Sequence, residues 1–184
     1  MSRYPGPCDV KEETMVPVIE EKDDILNIND VHDMTYDDVN KTDWFYSYVT
    51  ELSDKGVVSG DGTGNFAPGN NVTREQFLKM LLVAMDKETA EGENTFADVV
   101  DGAWYVPYVL TAKNLGIVNG VSDTQFGIGN NITRQDMAVM ISRIIDTDAD
   151  VITEDFADKA DVSDYAVNAV MHMKRIGLID GYAD

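Results

Sequence analysis

The sequence predicts a mostly α-helical protein built from tandem helix–loop–helix repeats. Residues 36–86 recur as residues 96–146 at a constant spacing of 60 positions, and a fixed period of this length is typical of repeat architectures. Each copy places apolar residues at helical spacing on both sides of a glycine-rich loop. The sequence lacks the alternation of apolar and polar residues that would indicate a sheet. A repeat of this kind needs its neighbours to bury its apolar face.

The internal repeats also divide the chain. We predict an acidic N-terminal linker, or part of a preceding segment, at residues 1–35, followed by repeat 1 at 36–95 and repeat 2 at 96–155. Repeat 3, at 156–184, carries one extra residue and stops before its second helix. The sequence therefore predicts a fragment of a longer protein. The matched positions of repeats 1 and 2 are Tyr36 with Phe96, Asp38 with Asp98, Trp44 with Trp104, Gly60 with Gly120, Phe66 with Phe126, Thr73 with Thr133 and Arg74 with Arg134.

The first helix of each repeat is predicted from an apolar stripe. In repeat 1 the stripe is followed by Gly56, which is positioned to end the helix in a left-handed cap. A weaker stripe in repeat 3 runs from Tyr165 to Met173. Trp44 and Trp104 start these helices and can either close the core or present a face for stacking on a sugar ring, and their spacing favours the core. The stripe of repeat 1 consists of Trp44, Phe45, Tyr48, Val49 and Leu52.

The loop and the second helix follow from turn and capping residues. Residues 56–71 are dense in turn formers around Phe66, which we expect to pack onto the core. Thr73 and Gln76 form a predicted capping box, and Thr133 and Asp136 take the same places in repeat 2. Residues 1–35 read as a linker with one short helix near 18–26.

Charge excludes several classes of partner. The chain has 34 acidic and 14 basic side chains and a net charge of −20, so its field repels phosphate backbones and anionic lipids. No basic patch offsets this field, and no apolar run approaches the length of a membrane span. We therefore expect no nucleic-acid partner and no membrane insertion.

Catalytic and metal-binding motifs are not readable in the sequence. Cys8 stands alone, and His32 and His172 lack the spacing of a metal or catalytic pair. No nucleophile–base set or phosphate-binding glycine loop is present, so we expect no enzyme and no cofactor. Residues 146–150 resemble the start of a calcium loop but lack its glycine and closing glutamate, which favours a solvated acidic linker over a metal site.

An arginine follows the cap of each second helix. Free N–H groups and the helix dipole favour an anion there, and the guanidinium of Arg74 or Arg134 can hold a carboxylate in a bidentate way. Spacing alone equally allows each arginine to pair with neighbouring acids. Both interpretations stay open at the level of sequence.

This order of motifs resembles the S-layer homology (SLH) repeat. The family pattern runs F-x-D-V, W, G-[IV]-[IV]-x-G, F-x-P and [IV]-T-R. The resemblance covers about residues 36–184, and it implies a pseudo-threefold, three-pronged helical assembly. It also implies an extracellular anchor that binds the secondary polysaccharide of the bacterial cell wall, often one carrying ketal-linked pyruvate. In repeat 1 the pattern stands at residues 36–39 (YDDV), Trp44, 56–60 (GVVSG), 66–68 (FAP) and 72–74 (VTR).

The resemblance also implies where a glycan would bind. The family's Thr-Arg-Ala-Glu motif lies in grooves between repeats, where the arginine is expected to meet the anionic sugar. The chain departs from that motif: Gln76 replaces the glutamate, Glu75 stands at the alanine, Asp136 shortens the second acid, and Tyr165 replaces the third tryptophan. The implied glycan-binding residues are Trp44, Thr73, Arg74, Gln76, Trp104, Thr133, Arg134 and Asp136.

An alternative function is a protein–protein interaction module. A repeat 3 without its second helix leaves an apolar face that another chain could complete. The net charge of −20 also opposes the approach of an anionic polymer. Oligomeric state and carbohydrate binding distinguish the two functions.

Overall fold

The structure is a computed structural model, and it describes residues 36–145 and 156–181. Over this part of the chain the regular structure is helical, and two isolated antiparallel bridges pair Thr73 with Asn131 and Ser122 with Gln125. The mostly α-helical prediction is therefore confirmed. The short helix predicted near 18–26 and the acidic run 146–150 lie outside the described residues. The helices are α1 Tyr46–Asp54, α2 Arg74–Ala84, α3 Val106–Asn114, α4 Arg134–Ser142, a short 3-10 helix Lys159–Asp161, and α5 Val167–Arg175.

The second helices, α2 and α4, begin directly after the capping residues Thr73 and Thr133, as the sequence predicts. Thr73 Oγ1 accepts a hydrogen bond from the Gln76 N–H at 3.4 Å, and Gln76 Oε1 accepts one from the Thr73 N–H at 2.9 Å. Thr133 Oγ1 accepts from the Asp136 N–H at 3.2 Å and donates to Asp136 Oδ2 at 2.7 Å. Each cap satisfies a donor that the helix itself leaves unpaired. Gly56 follows α1 with φ of +68°, as its predicted left-handed cap requires.

The apolar stripe predicted for the first helix is wrong in repeat 1. Trp44 is 82% exposed and Tyr48 62% exposed, and of the predicted stripe only Val49 is buried. α1 begins at Tyr46, so Trp44 precedes the helix instead of lying on its face. Trp104 likewise precedes α3 and is 52% exposed. The core assignment of both tryptophans is therefore wrong.

The repeats pack through contacts between successive units. Among the described helices, α2 packs against α3 and α4 against α5, so the second helix of one repeat covers the first helix of the next. Within residues 36–145 and 156–181, α1 has no such closely packed partner helix, and Trp44 and Tyr48 are exposed. The first core contains Leu78, Leu82, Phe96, Val99, Val109, Ala112, Ile117, Val118, Phe126 and Met140; the second contains Ala138, Val139, Ala166, Val170 and Met173.

One aspartate in each full repeat holds the glycine-rich loop. Asp98 accepts hydrogen bonds from the N–H groups of Phe126 at 2.8 Å, Gly127 at 2.7 Å and Ile128 at 3.0 Å. Burial of the Asp98 carboxylate opposes ionisation, but these donors together outweigh it and lower its pKa. In repeat 1, Asp38 accepts from the N–H groups of Phe66 at 2.7 Å and Ala67 at 2.8 Å.

Candidate functional site

A surface groove of about 390 Å³ lies between repeats 1 and 2. We call it the Trp104 groove. It is formed by the loop of repeat 1, the first two turns of α2 and the indole of Trp104 from repeat 2. Its walls are partly apolar, and its rim carries amides, the Asp61 carboxylate and one ammonium group. The lining includes Val57, Val58, Asp61, Phe66, Ala67, Pro68, Asn70, Asn71, Gln76, Lys79, Met80 and Trp104.

The groove combines an aromatic surface with a cation. Trp104 rests edge-on against Tyr105, with ring centroids 5.5 Å apart, and stays about half exposed. Lys79 Nζ lies 5.9 Å from the centroid of the Trp104 ring. An indole of this kind offers apolar area for stacking together with one N–H donor. The groove can therefore hold a ring with hydroxyl groups and an anionic substituent.

Lys79 was missed by the sequence reasoning. It lies three residues after Gln76 and therefore on the same side of α2, so helical spacing from the capping box could have indicated it. The corresponding position of repeat 2 is Val139, which is buried in the second core. A lysine at this helical position is therefore present at the junction between repeats 1 and 2 and is replaced by Val139 in repeat 2.

Arg74 lies between the repeats and does not line the Trp104 groove. The residue is 8% exposed, and its guanidinium carbon lies 5.3 Å from the centroid of the Phe126 ring. Arg74 Nη1 is 3.8 Å from Asp136 Oδ1, whereas Nε has no hydrogen-bond partner in the described part of the chain. Burial lowers the pKa of Arg74, and the charge of Asp136 opposes that shift.

Backbone groups and side chains at the start of α2 are engaged within the protein. The Arg74 N–H donates to the carbonyl of Asn130 at 2.9 Å, and the Gln76 N–H donates to the cap. The neighbouring Glu75 carboxylate is buried and accepts from the Gly129 N–H at 3.1 Å. The Arg74 N–H and guanidinium therefore both make contacts inside the protein, to Asn130, Phe126 and Asp136.

The junction between repeats 2 and 3 differs from the Trp104 groove. Asp136 and Tyr165 occupy the positions that Gln76 and Trp104 hold at the first junction. Here the Tyr165 hydroxyl donates to Asp136 Oδ1 at 2.9 Å and bridges the junction directly. Burial raises the pKa of Tyr165, and its bond to Asp136 raises it further.

Arg134 has a different environment from Arg74. It is exposed, and its Nη2 donates to the carbonyl of Asp180 at 3.1 Å. It lines a second pocket of about 370 Å³ with Phe156, which we call the Phe156 pocket. The same Thr-Arg motif therefore serves a buried contact in one repeat and a pocket rim in the next.

The predicted site residues therefore fall into three groups. Gln76 and Trp104 meet in the Trp104 groove. Trp44 stands apart, with its ring centroid 5.5 Å from that of Phe45. The residues that serve capping or the junctions are Thr73, Arg74, Thr133, Arg134 and Asp136.

Residues 36–145 and 156–181 show neither a clustered set of metal ligands nor a membrane-spanning helix. This part of the chain contains no group of three or more histidine, cysteine or acidic side chains placed to hold a metal ion. None of its helices is long and apolar enough to cross a membrane.

Comparison with known families agrees with the repeat pattern. The model of the S-layer homology domain matches residues 35–78 and 95–138. The chain carries S-layer homology repeats. Such repeats are non-catalytic anchoring modules, and they place the chain at the bacterial cell surface, attached to the cell wall. The predicted family and localisation are confirmed.

Similar proteins share these repeats within much longer chains. An endoglucanase of Bacillus sp. (strain KSM-635) is 29% identical over 81% of this chain and 16% of its own length. The surface-layer 125 kDa protein of Lysinibacillus sphaericus is 31% identical over 72% of this chain and 11% of its own. An amylopullulanase of Thermoanaerobacterium thermosulfurigenes is 27% identical over 82% of this chain and 8% of its own length. The matched region is thus less than a fifth of each relative.

Proposed function

We propose that the chain anchors a larger surface protein by binding the secondary polysaccharide of the bacterial cell wall in the Trp104 groove. The observation that carries this proposal is the meeting of the Trp104 indole, the Lys79 ammonium and the Gln76 amide in one groove. A pyruvylated sugar matches these groups. Its ring can stack on the indole, its hydroxyls can bond to the amides, and its carboxylate can pair with Lys79.

Charge supports a short-range role for Lys79. The net charge of −20 repels an anionic polymer at long range, and this repulsion weakens with ionic strength. Short-range contacts in the groove have to overcome this repulsion, and the Lys79 ammonium supplies the electrostatic part. We expect salt to have two opposing effects, since it screens the general repulsion as well as the local ion pair.

The arginines take other roles in this proposal. Arg74 faces Phe126 and Asp136, so it supports the position of repeat 2 beside the groove. Arg134 is not among the residues that line the Trp104 groove and lines the Phe156 pocket instead. We therefore place glycan contact on Trp104, Lys79 and Gln76 rather than on the two arginines.

The test is co-sedimentation of the full chain with purified cell-wall sacculi, before and after removal of their secondary polysaccharide. We expect binding to intact walls only. Trp104→Ala and Lys79→Gln should each reduce it at least tenfold. Trp44→Ala and Lys41→Gln are matched controls, because both side chains are exposed and lie outside the groove.

Two results would contradict the proposal. One is equal binding by Trp104→Ala and the unaltered chain, and the other is equal binding to intact and stripped walls. A stable dimer indifferent to both walls would favour the protein-interaction module. Circular dichroism melts of each variant distinguish lost binding from lost folding.

A further inference from the structure

A carboxylate lies in the groove that we assign to an anionic polymer. Asp61, on the glycine-rich loop of repeat 1, lines the Trp104 groove together with Lys79 and Trp104. A negative charge at this place repels an anionic ligand. It therefore either lowers affinity without benefit or makes a contact that compensates for its charge. The surroundings of Asp61 distinguish these two roles.

The loop does not need a carboxylate at this position. The Asp61 N–H donates to the carbonyl of Asn65 at 2.8 Å. In repeat 2 the corresponding residue is Val121, and its N–H donates to the carbonyl of Gln125 at 2.8 Å. The same backbone turn therefore closes with an apolar side chain in one repeat and with a carboxylate in the other.

Hydrogen bonds orient the Asp61 carboxylate but use only one of its oxygens. Oδ1 accepts from the Thr63 N–H at 2.8 Å, from the Thr63 hydroxyl at 2.7 Å and from the Asn65 N–H at 3.4 Å. Within residues 36–145 and 156–181, no group donates to Oδ2. The N–H and hydroxyl of Thr63 lower the pKa of Asp61, so the side chain is ionised at neutral pH. An oriented, charged acceptor with one free oxygen therefore lies in the groove.

The groove also keeps its two charged groups separate. Lys79 and Asp61 form no ion pair in the part of the chain that the structure describes, although both line the groove. The ammonium is therefore available to an anion, and the free carboxylate oxygen is available to a hydrogen-bond donor. A ligand that satisfies both groups carries a negative charge at one point and an uncharged donor at another.

We infer that Asp61 sets the specificity of the Trp104 groove by accepting a hydrogen bond, at Oδ2, from an uncharged sugar next to the anionic one. This inference rests on the proposed function of the groove. A hydroxyl or an amide N–H of the uncharged sugar satisfies the carboxylate, which is a stronger acceptor than an amide. A polymer with a charge on every sugar instead places a second anion beside Asp61, and the repulsion disfavours it. The favoured ligand is therefore a polysaccharide in which anionic and neutral sugars are neighbours.

Asp61→Asn tests this inference, because the two roles of the carboxylate predict opposite changes. Asparagine keeps an oxygen for the bonds from Thr63 and is favoured in turns of this type. If Asp61 accepts a sugar donor, as we expect, the variant should bind intact sacculi about fivefold more weakly. If Asp61 only repels anions, the variant should bind them more tightly. Asp37→Asn is the matched control, because Asp37 is exposed, lies outside the groove and makes the same change in net charge when replaced.

A second measurement addresses the disfavoured polymer. Fluorescently labelled oligogalacturonate, in which every sugar carries a carboxylate, is titrated with each variant, and anisotropy reports binding. We expect weak binding by the unaltered chain and by Asp37→Asn. Asp61→Asn should bind this probe about threefold more tightly, because the repelling charge is gone. A purely structural role of Asp61 would not change the binding of the two ligands in opposite directions.

Two results would overturn this inference alone. One is binding of Asp61→Asn to intact walls that equals or exceeds that of the unaltered chain, while Trp104→Ala still loses it. The other is an equal gain in oligogalacturonate binding by Asp61→Asn and Asp37→Asn, which would make Asp61 a part of the general charge. If Trp104→Ala binds intact walls as well as the unaltered chain, the proposed function fails and this inference fails with it. Circular dichroism melts check that each variant is folded.

Discussion

Repeats 1 and 2 contain the same Thr-Arg helix start in opposite environments. Arg74 is buried over the Phe126 ring, whereas Arg134 is exposed at the rim of the Phe156 pocket. The local sequence and the caps are closely similar, so the helix start does not cause the difference. The difference is caused by the loop of the following repeat, which places Phe126 beneath the Arg74 guanidinium. The role of an arginine in this motif is therefore decided by its neighbour.

The two loop phenylalanines differ in the same way. Phe126 is fully buried beneath α2, in the core that contains Leu78 and Leu82. Phe66 is only half-buried and packs on Tyr36 at a ring separation of 5.5 Å. Among the described residues no helix covers Phe66 as α2 covers Phe126. The same aromatic position therefore contributes more to stability when a preceding repeat covers it.

The largest effect should come from removing these rings. Phe126→Ala should lower the free energy of unfolding by about 3–5 kcal/mol, because it leaves a cavity in a closed core. Phe66→Ala should lower it by about half as much, since its ring is already partly in water. Urea unfolding followed by circular dichroism measures both. Equal losses would mean that the covering helix adds nothing.

The second-largest effect should come from the Asp98 carboxylate, which holds the loop that carries Phe126. Asp98→Asn should lower the free energy of unfolding by about 2–3 kcal/mol at neutral pH, because charged acceptors form the stronger hydrogen bonds. The pKa of Asp98 is lowered by folding, so its contribution is present above the unfolded pKa of about 3.9 and is lost as pH falls through the folded value. Urea unfolding across the acid range should show a steeper loss for the unaltered chain. If stability falls with pH equally in the unaltered chain and the Asp98→Asn variant, Asp98 is not the group responsible.

Replacing the two arginines should change the free energy of unfolding less, and by different amounts in the two repeats. Arg74→Ala should cost about 1–3 kcal/mol of unfolding free energy, since it removes packing on Phe126 and leaves Asp136 without its cation. Arg134→Ala should stay within about 0.5 kcal/mol. Arg74→Met, which keeps most of the volume, should recover much of the loss. Thermal unfolding of the three variants measures these differences, and equal losses for the two alanine variants would remove the contrast.

The smallest effect should be the same in both repeats. Thr73→Ala and Thr133→Ala each remove a side-chain cap and should each cost about 1 kcal/mol of unfolding free energy. Thr73→Ser and Thr133→Ser keep the hydroxyl and serve as controls. Urea midpoints provide the measurement. A marked inequality between the repeats would show that the caps depend on their junctions.

Local features of this protein were predictable and long-range features were not. The Thr73 cap and the Gly56 turn follow from residues within one helical turn of each other, and both were predicted. The exposure of Trp44 depends on where α1 begins, at Tyr46, and helical periodicity does not fix that boundary. The burial of Arg74 depends on a loop that belongs to the next repeat.

The candidate site was predictable in part for the same reason. Trp104 and Gln76 were named from the family pattern, and the structure brings them into one groove. Lys79 carries no motif, and its value appears only once Trp104 lies 5.9 Å away. The bond between Asp136 and Tyr165, which distinguishes the second junction from the first, likewise joins two repeats.

The hydrogen bonds of Asp38 have a consequence for the entropy of binding. They hold the backbone at Phe66 and Ala67, and both residues line the Trp104 groove. A free loop with this many glycines would lose about 1–2 kcal/mol of conformational entropy per residue on being ordered. Asp38 fixes this part of the loop when the chain folds. A ligand entering the groove therefore meets a preorganised wall and does not have to order it.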